Sequence, residues 1–343
     1  MNKADRAGVG KSIAVVFGRQ RRSKYGGGMA PGQWFGRRQI STDRIGIAVG
    51  PHGLVAVRTT AAGSADNRPR VEATAFFPSG TESDWPDGMN KLARDLSGKG
   101  VNTVVVPHAQ LVALMQLSIP PTPDSERIGA LKFRAREVSQ VPIEDMLLDY
   151  VDVAGTRARG GEPPCYCAIA SRERMTRLRD AVLRAGLHLQ AIDVADMALS
   201  HVLGRAAGEG EAISALLLGN QGLRFVIVNE GKLSLFRSST LTAEHFRDGF
   251  SENLDQLLLE VQRTIDFYES HYTTPPPKRL LLMPDWPFTE ALAEALLPAL
   301  RVRPEPFSLD EVLASSDRLG SPAPDLMVLA VGAALRPVAE VAA

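Results

Sequence analysis

Among residues whose type and spacing invite a chemical reading, two glycine-bracketed turns come first. Gly50-Pro51-His52-Gly53 separates the apolar runs 45–49 and 54–58, and Gly219-Asn220-Gln221-Gly222 separates the runs 214–218 and 223–226. Each is a glycine turn between two strands, a hairpin connection. Gly8-Val9-Gly10-Lys11-Ser12 looks like the end of a phosphate loop but fails as one. Its first glycine would stand at position 5, which is Asp5, and no strand precedes it. Cys165 and Cys167 share one face of a strand, but no other cysteine and no neighbouring histidine completes a ligand set. They read as small buried apolar residues. His52, His108, His188, His201, His245 and His271 show no metal-ligand spacing, and no metal is expected. Asp193 and Asp196 read as N-terminal caps of a helix over 194–205 rather than as a base, and Ser234, Ser238 and Ser239 fall at a strand end.

The chain around these residues has 343 residues, 39 basic and 39 acidic side chains, 44% hydrophobic residues and two cysteines. That length suffices for two domains, or one bilobal domain, with a sizeable core. Balanced charge excludes a uniformly basic nucleic-acid binder and an acidic disordered chain. No 18-residue apolar run is present, and the stretch 12–18 is too short for a signal-peptide core. Two cysteines cannot staple a fold of this size, which predicts a cytoplasmic protein. The charge is unevenly spread: residues 1–40 hold nine basic side chains and one acidic, and eight of the 30 glycines. Their net charge of +8 is balanced by −8 over the remaining 303 residues. Residues 1–43 therefore read as a basic, glycine-rich disordered tail, with 1–40 able to touch an anionic membrane surface.

Periodicity supplies the elements that position the turns. Strands are expected over 45–49, 54–58, 71–77 and 101–106. A helix carries Trp85, Met89, Leu92 and Leu96. Residues 45–57 are echoed by 214–226 at an offset of 169, both reading strand, Gly-x-x-Gly-Leu, strand. A repeated hairpin half a chain apart suggests a duplicated α/β lobe facing itself across a cleft. Between the hairpins, Pro120, Pro121 and Pro123 mark a junction. There follow a helix over 125–140, strands over 147–153 and 165–170 around a Gly/Arg-rich loop, a helix over 172–185, and a strand over 187–194. Phe250, Leu254, Leu257, Leu258, Val261, Ile265 and Tyr268 form one amphipathic stripe, ended by Pro275, Pro276 and Pro277. A core strand over 278–283 and helices over 290–300 and 325–336 close the chain.

Glu260-Val261-Gln262-Arg263-Thr264-Ile265-Asp266-Phe267-Tyr268-Glu269-Ser270, followed by Lys278-Arg279-Leu280-Leu281-Leu282, resembles the MshI family of mannose-sensitive haemagglutinin pilus-biogenesis proteins, relatives of the type IV pilus assembly family PilM. Ala130-Leu131-Lys132-Phe133, Val141-Pro142-Ile143-Glu144-Asp145 and Leu148-Asp149-Tyr150 agree, as do Ala185-Gly186-Leu187, Ala191-Ile192-Asp193 and Ala330-Val331-Gly332-Ala333-Ala334-Leu335-Arg336. The resemblance spans 44–337. It implies an actin-like α/β fold, the duplicated ribonuclease H-like arrangement of two lobes, with the small inserted αβ subdomain of the FtsA and PilM type. The expected divisions are the first lobe over 44–118, the subdomain over 119–192, a return to the first lobe over 193–211, and the second lobe over 212–343.

The resemblance also implies a site and a role. In this fold the two hairpins, here Gly50 to Gly53 and Gly219 to Gly222, grip phosphate, and a carboxylate two residues before each first glycine holds Mg²⁺ through water. Those positions are Ala48 and Leu217. Pro51 has no N–H to offer, and the glycine pair expected beneath the adenosine is replaced by Met283-Pro284-Asp285-Trp286. The expectation is a pseudo-ATPase with no catalytic residue and no cofactor, ATP being the one cofactor the fold raises. The family implies a cytoplasmic scaffold, peripheral to the inner membrane, that grips the cytoplasmic tail of a PilN-like single-pass membrane protein and thereby serves the pilus assembly ATPase. Phe133, Val138, Val141, Ile143 and Leu148 are the expected partner-binding residues, with strand addition as the mode. The alternatives are an active actin-like ATPase, which needs the missing carboxylates, and a GspL-like cytoplasmic module of type II secretion, which would be followed by a transmembrane helix.

Overall fold

The computed structural model describes residues 43–60, 68–153, 155–156, 162–314 and 319–337, so the basic tail expected over residues 1–43 lies, except for Asp43, outside the described residues. The chain opens with β1 (Arg44–Val49), β2 (Gly53–Thr60) and β3 (Arg70–Pro78), then α1 (Trp85–Asp95) and β4 (Asn102–Val106). There follow β5 (Val112–Ser118), α2 (Arg127–Ala135), β6 (Met146–Asp152), β7 (Pro164–Ser171), α3 (Arg172–Arg184), β8 (His188–Ile192) and α4 (Ala195–Ala206). The second half runs β9 (Ala212–Gly219), β10 (Gly222–Asn229), β11 (Lys232–Ser239), α5 (Ala243–Asp248), α6 (Phe250–His271), β12 (Arg279–Met283), α7 (Thr289–Leu296), β13 (Arg303–Pro306) and α8 (Pro324–Ala334).

The duplication is visible in the strand order. One five-stranded sheet is ordered β3-β2-β1-β4-β8 and the other β11-β10-β9-β12-β13, position for position the same. Even the register repeats: Val49 faces Leu54 in the first hairpin, and Leu218 faces Leu223, 169 residues on, in the second. The central strands β1 and β9 run parallel to β4 and β12. Both are apolar along nearly their whole length because both faces of each sheet are covered.

The divisions between lobes differ from those expected. β5 pairs along its length with β7, in a separate sheet ordered β5-β7-β6, so the inserted unit begins before residue 119. The three prolines mark a turn inside it, between β5 and α2. At its other end β8 pairs with β4 and α3 packs on α1 and β8, so both belong to the first lobe rather than to the insertion. The linking helices are exchanged. α4, expected to return to the first lobe, packs on β9, β10 and β11, whereas α8, expected in the second lobe, packs on β1 and β2. The helix expected over 125–140 is shorter. α2 stops at Ala135 and tightens into turn bonds from Val138 and Ser139 to the Ala135 carbonyl, ahead of the Val141-Pro142 pair that disfavours helix.

α4 and α8 cross where side chains are smallest. A Cβ on Gly332 would strike the Ala198 carbonyl, and one on Gly46 would strike the Ala330 carbonyl of α8. Only glycine permits these approaches.

Candidate functional site

The glycine turns face each other across a cleft of about 570 Å³ between the two sheets. Val49 and Pro51 line it from the first hairpin, and Leu217, Gly219, Gln221 and Gly222 from the second. His108 and Arg224 add polar walls, and the first turn of α8 contributes Asp325 and Leu326. Gly50 N–H is bonded to the Gly53 carbonyl at 2.8 Å, which closes the first turn on itself. Ala48 is fully buried, and Leu217 is buried at the cleft wall.

The charged groups at the cleft are held in cis. Asp196 and Asp325 occupy the same place, the second residue of α4 and of α8. Arg224 Nη1 donates to both carboxylate oxygens of Asp196, at 3.0 and 2.9 Å. Asp325 Oδ2 accepts the Asn220 N–H at 3.1 Å, while its Oδ1 is buried and has no hydrogen-bond partner among the described residues. Burial pushes the Asp325 carboxyl above the ordinary carboxylate range. Burial, and then the charge of Arg224, holds the His108 imidazole below its usual value. The second turn is clasped from two further sides. Trp286 Nε1–H donates to the Leu218 carbonyl at 2.8 Å, and Arg247 donates to Asn220 Oδ1 at 3.2 Å while lying over the Trp286 ring.

Asp193 does not cap α4. The N-cap is Val194, without a side-chain cap bond, and the buried Asp193 carboxylate takes Arg336 as its ion-pair partner and a bond from His201 Nε2 at 3.2 Å. Burial alone would raise Asp193, but the His201 bond and the Arg336 charge outweigh it and hold the carboxyl below its ordinary value. Cys165 and Cys167 lie side by side in the subdomain core, their sulfurs 3.6 Å apart. Among the described residues no group of three or more His, Cys, Asp or Glu side chains is arranged to hold a metal.

The expected partner residues divide into two sets. Leu131 and Ala135 turn one face of α2 into the subdomain core, so Phe133 faces out and is 54% exposed. Val138 is 57% and Ile143 38% exposed, and with Phe133 they make half of the six exposed large hydrophobic residues among those described. The Arg136 guanidinium lies 4.3 Å from the centre of the Phe133 ring. Leu148 is buried in the subdomain core, and Val141 is half-buried against it. Leu148 faces inward because alternate residues of β6 do, and Val141, ahead of that strand, packs against the same core. β6, which starts just after Ile143, is an edge strand of its sheet. Asp325, Leu326, Arg224 and His108 were not legible as site residues. An acidic residue in the first turn of an apolar helix is ordinary, and only its repetition at Asp196 marks it.

Two sheets of one order, each with its hairpin on a shared cleft, and a small inserted unit after the fourth strand define an actin-like fold of two lobes. The chain is similar to the solved PilM-PilN type IV pilus biogenesis complex, at 20% identity over 85% of this chain and 97% of that one, with a TM-score of 0.66. It is also similar to the cytoplasmic domain of EpsL, an inner-membrane component of the type II secretion system of Vibrio cholerae. There the identity is 12%, over 86% of this chain and 96% of that one, with a TM-score of 0.50. No protein-family model matches the chain, and no curated protein sequence matches it. At these identities the likeness is one of fold. Among the described residues no helix is long and apolar enough to cross a membrane.

The positions at which the resemblance expects metal-holding carboxylates, Ala48 and Leu217, are apolar and buried, and the Asp325 carboxylate at the cleft takes a turn N–H, that of Asn220.

Proposed function

We propose that this chain is a non-enzymatic scaffold of a type IV pilus assembly platform, of the MshI and PilM kind, and that it grips the cytoplasmic tail of a PilN-like single-pass membrane protein. The observation that carries this reading is that Phe133, Val138 and Ile143, all in the inserted unit between β5 and β6, are exposed, and that β6 is an edge strand of its sheet. An extended tail laid along that edge gains main-chain hydrogen bonds, and the three apolar side chains supply the contacts that select it. The likeness to PilM in complex with PilN supports the partner class. The cytoplasmic, membrane-peripheral placement follows from that partner, and the apolar Ala48 and Leu217 support the absence of ATPase activity. A second reading, a module of type II secretion, rests on the likeness to the EpsL domain and differs in the partner gripped.

Calorimetric titration with a synthetic peptide of the partner's cytoplasmic tail tests the proposal. Saturable binding is expected, weakened at least tenfold by Phe133→Asp and unchanged by Leu217→Ala. Each tenfold loss corresponds to about 1.4 kcal/mol. Titration with Mg-ATP is expected to be silent. Tail binding indifferent to Phe133→Asp would remove these three residues from the interface, and a saturable Mg-ATP signal would return the ATPase reading to the front.

A further inference from the structure

We propose that the interlobe cleft is latched in cis: the first turn of α8 holds both glycine turns, so the lobes keep their relative position without a bound ligand. This deepens the non-enzymatic reading above and rests on it. Asp325 supplies the acceptor. Its Oδ2 takes the Asn220 N–H at 3.1 Å, a main-chain donor of the turn that would otherwise face a phosphate. The next residue fills the other turn. A Cβ built on Gly50 would stand 2.6 Å from Leu326 Cδ1, so the space above that glycine is already taken. The body of α8 is packed on β1 and β2 of the first lobe, while Asp325 reaches β9–β10 of the second, so one helical turn bridges the two sheets. The hydrogen bond from Trp286 Nε1 to the Leu218 carbonyl fixes the second turn from its far side.

Amide hydrogen exchange on the full chain, resolved to single residues by NMR, tests the latch. Asp325→Ala is expected to speed exchange of the Asn220 amide about tenfold or more, the loss that follows removal of its acceptor. Asp325→Asn, whose side-chain carbonyl still accepts, is expected to stay near the unsubstituted rate. Leu326→Ala is expected to loosen the Gly50 amide, which is bonded to Gly53. Amides of β4 serve as the control for an intact fold. An unchanged Asn220 rate in folded Asp325→Ala overturns the latch and leaves the non-enzymatic reading standing. Should Asp325→Ala not fold, an unchanged Gly50 rate in Leu326→Ala overturns it instead. Protection of both turns by millimolar Mg-ATP in the unsubstituted protein overturns the latch and the non-enzymatic reading together.

Discussion

Asp193 is fully buried, and a carboxylate in that position is tolerable because it is ion-paired with Arg336, bonded to His201 and accepts the Val194 N–H at 2.9 Å. The main-chain carbonyl of Arg336 in turn accepts from Arg44, so the residue just after α8 is held by Asp193 at the β8–α4 junction and by Arg44 at the start of β1. The folded-state value of Asp193 lies below its ordinary one. The stability it contributes is therefore present above the unfolded value of about 3.9 and is lost as pH falls through the folded value. Asp193→Asn is expected to lower stability in urea at pH 7, and the gap from the unsubstituted protein should close as the pH is taken well below 4. A gap of constant size would show that the carboxylate charge is not what matters. Arg336→Met, which leaves the buried charge without its ion-pair partner, should be the harsher change, costing about 3–5 kcal/mol at pH 7. At this scale the sequence misled: Asp193 precedes a helix and has the residue type of a cap, and nothing local reveals a partner 143 positions away.

Among elements, α8 matters most, and its contacts turn on glycine. Gly46→Ala and Gly332→Ala each drive a methyl group into a backbone carbonyl that cannot move without displacing a helix. Each is expected to cost about 1–3 kcal/mol, in the range of an overpacked core, and to lower Tm visibly in a thermal scan. Gly129, exposed within α2 and with nothing near its Cβ position, is the opposite case. Gly129→Ala is expected to stabilise by up to about 1 kcal/mol through helix propensity alone. If all three glycines behaved alike, the close approach at α8 would have no energetic meaning. The hairpins themselves were legible because the pattern strand, Gly-x-x-Gly-Leu, strand is local and is written twice. The exchange of α4 and α8 between sheets was not. A helix that is apolar on all sides, as α8 is, carries no direction in its pattern, so which sheet it covers is decided by the shape of the surface it meets. The same limit hid β5. Its Val-Ala-Leu-Met-Gln-Leu run is apolar without alternation, and its pairing with β7 crosses more than forty residues. The outward Phe133 was legible as a surface residue only through the family resemblance.

At the scale of the whole molecule, the two five-stranded sheets share a core, although the first lobe and the inserted unit each have a further cluster of their own. One cluster of buried residues joins Val55, Val57 and Val104 of the first sheet with Leu216, Phe225 and Leu281 of the second, through Leu199 of α4 and Val328 of α8. Tyr166 of the inserted unit belongs to the same cluster, and its hydroxyl, like that of Tyr272, donates to the Ser234 carbonyl of the second lobe. Opening the lobes would therefore expose core on both sides at once. Independent melting is expected only where domains meet through a small polar interface. Scanning calorimetry is accordingly expected to give one transition whose calorimetric and van't Hoff enthalpies agree, rather than one per lobe. A ligand present at a hundred times its dissociation constant raises stability by about 2.7 kcal/mol, so a cleft that binds nucleotide would shift that transition with Mg-ATP. A single transition unmoved by Mg-ATP is what a latched scaffold requires. Two resolved transitions would mean that α4 and α8 do not couple the lobes, and the bridging turn of α8 would then hold two independent bodies in place instead of closing one.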